Sequence, residues 1–183
     1  MKQLVQKLFN QVGLDLHRPS YNPSQRGHEL VRPFTTYAPW SLDENFRETL
    51  NVVRSKTLVD HYRLWELWSL VEQVKDVPGA LIEIGVWRGG SGALIAHHAK
   101  TLAIVDPVYL CDTFEGVPKA GQQDSLYVGG EHDDTTLDFL SELGLENCKV
   151  LKGIFFEETH ELIESEKFRL VHIDVDVYQS AKD

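Results

Sequence analysis

The chain of 183 residues carries 28 acidic against 18 basic side chains, a formal charge of −10. A field of that sign repels phosphate backbones, so it argues against nucleic acid and suits a small cationic ligand or a divalent metal. Two cysteines, Cys111 and Cys148, lacking a CxxC spacing, argue against a disulfide framework or a zinc cage and read as buried thiols of a reducing cytosol.

In chain order, Leu4, Val5, Leu8, Phe9 and Val12 recur at helical spacing and predict a short amphipathic helix. Polar residues break this segment, so it has no signal-peptide core. No apolar run approaches the ~20 residues that span a bilayer, and the reading is a cytoplasmic protein without a membrane partner. Arg18 to Trp40, with Pro19, Pro23, Pro33 and Pro39, predicts an irregular arm. A lid, a homo-oligomer contact and disorder are all compatible with it. Residues 1–56 are therefore set apart from an α/β domain over 57–183. That domain opens with a helix from about Thr57 to Lys75, whose stripe Leu58, Tyr62, Trp65, Trp68 and Val71 predicts core packing and which Pro78-Gly79 ends.

From there the pattern alternates. Strands are predicted at Ala80–Ile84, Val108–Cys111, Lys149–Leu151 and Leu170–Val177, with helices at Ser91–Lys100, Asp134–Leu143 and Glu157–Glu164. Strands alternating with helices imply βαβ units, a doubly wound and mostly parallel sheet, and ligand sites beyond the carboxyl ends of the strands. Gln179 to Asp183 reads as the opening of another helix, and a four-strand sheet ending there predicts that the protein continues beyond Asp183.

The first strand runs into Gly85-Val86-Trp87-Arg88-Gly89-Gly90-Ser91-Gly92. A glycine-rich turn of this kind lets a ligand approach the backbone. A dinucleotide fingerprint wants glycine where Trp87 stands, and Glu83 adds negative charge where a pyrophosphate would sit. Both favour a ligand with a positive centre, such as the sulfonium and ammonium of S-adenosylmethionine. The second strand ends in Asp112, at close to the spacing of ~20 residues expected between a glycine turn and a ribose-binding acid. A carboxylate there can accept from both ribose hydroxyls, or cap its own turn.

The stretch His172-Ile173-Asp174-Val175-Asp176-Val177-Tyr178 carries the densest chemistry. Extended alternation would point His172, Asp174 and Asp176 the same way. Paired carboxylates repel unless a cation or shared proton intervenes, and a hard ion such as Mg²⁺ answers that. Alternatively, one carboxylate binds metal while the other removes a proton. His172 reads as a hydrogen-bonded structural residue.

The motifs Ile82-Glu83-Ile84-Gly85-Val86-Trp87-Arg88-Gly89-Gly90-Ser91, Asp112-Thr113-Phe114-Glu115-Gly116-Val117-Pro118, Lys152-Gly153-Ile154-Phe155-Phe156-Glu157-Glu158-Thr159 and Ile173-Asp174-Val175-Asp176-Val177-Tyr178-Gln179-Ser180 stand in one order. In that order the chain, from Thr57 to Asp183, resembles the macrocin-type (TylF/MycF-like) O-methyltransferases of natural-product sugars. The resemblance implies a class I, Rossmann-like methyltransferase fold, S-adenosylmethionine as donor, Mg²⁺ as metal and a sugar hydroxyl as acceptor. It implies that Glu83, Gly85, Val86, Arg88, Gly89 and Ser91 cradle the methionyl part and Asp112 the ribose. Asp174 would be a metal ligand, Asp176 the general base, and Thr57 a neighbour of the cofactor. The family completes its metal site with an aspartate pair on a later strand, which this chain does not contain. Two other readings stand beside it: an NAD-dependent Rossmann oxidoreductase, and a non-catalytic relative that binds a nucleoside or a partner.

Overall fold

The structure is a computed structural model that describes residues 37–122, 124 and 138–182. The expected helix over residues 1–16, the expected arm up to residue 36 and the start of the expected helix at 134–137 lie outside the described residues. Residues 39–183 form one compact unit.

Three helices are built on one side. Helix α1 (Glu44–Val53) has no counterpart among the sequence-based expectations, although its signal is present. Asp43 caps it by accepting from the Phe46 N–H at 2.8 Å, and Phe46, Thr49 and Val53 recur at helical spacing and are buried. The other oxygen of Asp43 accepts from the Trp68 indole N–H at 3.1 Å, which ties α1 to helix α2 (His61–Gln73). Helix α2 starts later than predicted because Asp60 caps it through the Tyr62 and Arg63 N–H groups. Its buried stripe is Leu64, Leu67, Trp68 and Val71, whereas Tyr62 is exposed and Leu58 falls ahead of the helix. Trp68 is thus core, as expected.

Strands β1 (Ala80–Ile84), β2 (Val108–Asp112), β3 (Cys148–Lys152) and β4 (Phe168–Ile173) form one parallel sheet in the order β3-β2-β1-β4. This is the predicted α/β class. Helix α3 (Gly90–Thr101) packs with α1 and α2 over the face that carries Leu81, Val108 and Leu110. Ile82, Tyr109 and Cys111 face the other way, against Ile163, with Phe155 packed alongside. The expected helix over Glu157–Glu164 is instead one wide turn, Phe155–Thr159, followed by a tight turn, His160–Ile163. There the Glu158 carboxylate turns back to accept from the Ile154 N–H at 2.7 Å. Short helices α4 (Asp138–Glu142) and α5 (Tyr178–Lys182) complete the described elements, and α5 begins where the sequence predicts another helix. No helix among the described residues is long and apolar enough to cross a membrane.

Strand β4 is shorter at its carboxyl end than predicted. Its ladder runs to Ile173, after which Asp174 donates to the Ile84 carbonyl at 2.8 Å and the chain leaves the sheet toward α5. The alternation that would align His172, Asp174 and Asp176 therefore stops before the aspartates. At its start β4 carries a bulge, and the Arg169 guanidinium anchors it to the Gly79 and Lys75 carbonyls and to Asp106.

His98 on α3 is 5% exposed and stacks on Trp68 with ring centroids 3.6 Å apart. Burial pulls its pKa down to about 4, against the smaller opposing charge of Asp43. The unfolded chain then binds a proton that the folded one refuses between about pH 6.5 and 4, so stability should fall as pH falls through that window. The loss expected is on the order of 3 kcal/mol. Urea midpoints at pH 7 and pH 4.5 should differ less in His98→Phe than in the parent; an equal difference in both proteins would remove His98 as the cause.

Candidate functional site

The strand order reverses at β1, so the carboxyl ends of β1 and β4 mark the switch point of the sheet, where ligands bind in folds of this kind. A cavity of about 350 Å³ opens there, at the lower end of the ~300–1,000 Å³ usual for small-molecule sites. Every strand end contributes to it: Gly85–Trp87 after β1, Asp112 and Thr113 at β2, Gly153–Phe156 after β3, and Ile173–Val177 at β4. Thr57, Leu58 and Val59 close another side. They are held there because the Gly90 N–H donates to the Lys56 carbonyl at 2.9 Å, and a side chain at Gly90 would strike that same carbonyl.

Backbone geometry explains the glycines. Gly85 has φ +88° and lies against the Asp174 carbonyl, where a Cβ would fall 2.7 Å from the carbonyl carbon. Gly89, at φ +79°, is the N-cap of α3. Gly92 leaves room for the side chain beneath it: a Cβ there would sit 2.6 Å from Glu83 Oε2.

Of the residues expected at the site, the cavity wall includes Gly85, Val86, Ser91, Asp112, Asp174 and Asp176, and also Thr57. Glu83, Arg88 and Gly89 are not part of it. The Arg88 guanidinium lies over the Trp87 ring, 4.6 Å from its centroid. Glu83 is fully buried behind the wall. Its Oε1 is 3.0 Å from His172 Nδ1, and its Oε2 is buried without a hydrogen-bond partner among the described residues. Burial pushes the Glu83 carboxyl above the ordinary range, opposed by the bond and charge of His172. Burial pulls His172 down, but the bond and charge of Glu83, with the charge of Asp174, outweigh it and its pKa is raised. His172 is thus hydrogen-bonded to Glu83 and, unlike Asp174 and Asp176, is not part of the cavity wall.

Asp112 is heavily engaged. One of its oxygens accepts from the Val86 and Trp87 N–H groups at 2.6 and 2.8 Å, and the other from the Phe114 N–H at 3.0 Å. A carboxylate offers about four acceptor sites, so Asp112 spends most of its capacity holding the glycine turn against the end of β2.

The sequence reading did not single out the apolar side of the cavity, Val117, Pro118, Ile154, Phe155 and Phe156. Two ion pairs hold these segments together: Lys119 with Glu157 and Lys152 with Glu115, each at 2.7 Å. Both stretches fall within the motifs that carry the family resemblance, just after β2 and β3. Cys111 also lines the cavity, and burial pushes its thiol up to about 12, as it does that of Cys148. Both cysteines are free.

Electrostatically the wall is acidic. Among the described residues it carries Asp112, Asp174 and Asp176 against one cation, Lys119, which is paired with Glu157. No group of three or more His, Cys, Asp or Glu side chains able to hold a metal occurs among the described residues.

Fold and site together define a class: a parallel, Rossmann-like sheet of the class I methyltransferase type, with an acidic cavity at its switch point. The chain belongs to the macrocin O-methyltransferase (TylF) family, which matches residues 53–183. It is similar to the 8-demethyl-8-(2,3-dimethoxy-alpha-L-rhamnosyl)-tetracenomycin-C 4'-O-methyltransferase of Streptomyces olivaceus. The two are 32% identical over 147 residues, 69% of this chain and 54% of that protein. The demethyldecarbamoylnovobiocin O-methyltransferase of Streptomyces niveus is 28% identical over 149 residues, with the same shares covered. Among solved structures, the O-methyltransferase NovP superposes with a TM-score of 0.54 at 26% identity, over 68% of this chain and 58% of that one. The calicheamicin methyltransferase CalS11, 18% identical with a TM-score of 0.54, covers 88% of this chain and 77% of its own and supports the fold. The chain spans about half the length of the curated relatives it matches.

Proposed function

We propose that this protein is an S-adenosylmethionine-dependent O-methyltransferase acting on a hydroxyl of a sugar or sugar-bearing natural product. The observation that carries the reading is the acidic lining of the switch-point cavity, where three carboxylates face one paired lysine. A dinucleotide brings two phosphates to such a wall and is repelled, whereas a sulfonium with an ammonium is attracted. The relatives, each an O-methyltransferase by name and one of them named for a rhamnosyl-bearing product, support the acceptor class.

In this reading Gly85, Val86 and Ser91 hold the methionyl part of the donor, and Asp112 faces its ribose through the acceptor capacity the turn leaves free. Arg88 and Gly89 shape the turn from outside the wall. The donor supplies an electrophilic methyl group. Asp176 takes the proton of the acceptor hydroxyl, and the apolar side of the cavity excludes water and holds the oxygen in line with the methyl carbon. The Asp174 and Asp176 carboxylates on one wall suit the oxygen preference of Mg²⁺, which commonly takes only one or two protein carboxylates. We assign Asp174 as the ligand, and a bound Mg²⁺ would supply Lewis-acid lowering of the acceptor hydroxyl's pKa.

Calorimetric titration with S-adenosylmethionine and with NAD, each with and without Mg²⁺, tests this. Donor binding that NAD does not match is the expected result. Asp112→Ala should weaken it at least tenfold and also lower the urea midpoint, because three backbone N–H groups lose their acceptor. NAD binding with no donor binding would replace the reading by an oxidoreductase. Titrations unaltered by Mg²⁺, together with turnover that survives a chelator, would remove the metal from it.

A further inference from the structure

Glu83 and His172 lie 89 residues apart in sequence and face each other across the junction of β1 and β4. Two residues further along each strand, Gly85 and Asp174 touch, and the Asp174 N–H is bonded to the Ile84 carbonyl. The side-chain pair thus sits directly beneath the point where the aspartate-bearing loop meets the glycine turn. Leu170, on the same face of β4 as His172, packs against the core, while Val171 and Ile173 on the other face are half-exposed among the described residues. A slip of one residue would exchange the faces of β4 and carry Asp174 off Gly85. A buried polar pair of this kind adds little net stability over an apolar pair of similar size, and its best-attested use is to fix a register.

We infer that the Glu83–His172 pair is a positioning unit, which locks β4 on β1 and so holds Asp174 and Asp176 at the cavity. It acts through the strand ends, without touching donor or acceptor. The inference rests on the methyl-transfer reading for its effect on turnover, and on geometry alone for its effect on the loop.

The test compares the parent with His172→Leu, His172→Asn and the double variant Glu83→Leu/His172→Leu. The single leucine variant strands a buried carboxylate and need not fold. The double variant removes both polar groups and should unfold at or near the parent's midpoint. In it, amide hydrogen exchange of the Asp174–Val177 segment should speed up at least tenfold while β2 and α3 are unchanged. In the full-length protein kcat should fall at least tenfold, with the dissociation constant for S-adenosylmethionine changed less than threefold. His172→Asn, which keeps a donor for Glu83, should restore most of the turnover. Unchanged exchange at Asp174 in the stable double variant overturns the inference. So does a loss of donor affinity as large as the loss in kcat, which would make Glu83 a cofactor contact. A parent protein that binds the donor but transfers methyl to no glycoside would count against the functional reading alone, because the exchange measurement still decides the pairing.

Discussion

Gly85→Ala should lose about 3 kcal/mol of stability and more than tenfold in affinity for S-adenosylmethionine. Two costs add at this position. The backbone holds φ at +88°, a region where a side chain is strained by about 1–3 kcal/mol. The new methyl group would also collide with the Asp174 carbonyl, 2.7 Å from its carbon, and overpacking of this kind costs about 1–3 kcal/mol. Relief requires the ends of β1 and β4 to part, which breaks the bond from the Asp174 N–H to the Ile84 carbonyl. Both the turn and the aspartate loop line the cavity, so the binding loss should exceed what global destabilisation explains. Urea unfolding and donor titration on the same preparation check this. A variant as stable as the parent, with intact donor binding, would mean that the junction yields easily and that the aspartates are held by something else.

For Asp176→Asn in the full-length protein, turnover should fall by roughly 10²–10⁴-fold, the usual contribution of a positioned general base. The amide keeps the size of the side chain and cannot accept the acceptor's proton at neutral pH. Asp176 faces the cavity from the loop after β4, whereas the donor-binding turn follows β1. Donor affinity should therefore change by less than about threefold, and the effect should fall on kcat. Single-turnover methyl transfer with donor in excess separates the two quantities. Normal turnover by the variant would return the role of base to another group, with Asp174 the first to test.

Much of this was legible in local sequence. The strands at Ala80–Ile84 and Val108–Cys111 fell almost where predicted, because short apolar runs between turn residues leave few alternatives. The boundaries of β4 and α2 shifted for reasons that are not local. Strand β4 ends at Ile173 because β1, its neighbour, ends there and its last free carbonyl takes the Asp174 N–H. Helix α2 turns Leu64 and Leu67 inward because its burial is set by α1 and α3. Helix α1 carries its cap at Asp43 and its apolar spacing locally, but it is only ten residues long and directly follows a proline-containing stretch whose pattern is irregular.

The sequence by itself determined the succession of the four strands, the helix after the first of them, the glycine turn at Gly85 and the family to which these motifs belong. Periodicity, turn chemistry and residue type act over a few neighbours, and that is where those features reside. Only the tertiary structure decided which carboxylates reach the cavity. Glu83 and Asp174 look equivalent along the chain, yet one is sealed under Gly92 against His172 and the other opens onto the wall. Asp112 is turned onto the backbone of a loop 25 and 26 residues earlier. Those outcomes depend on strand register and on which helix covers which face. Both are set by contacts between segments far apart in the chain, which no local pattern encodes.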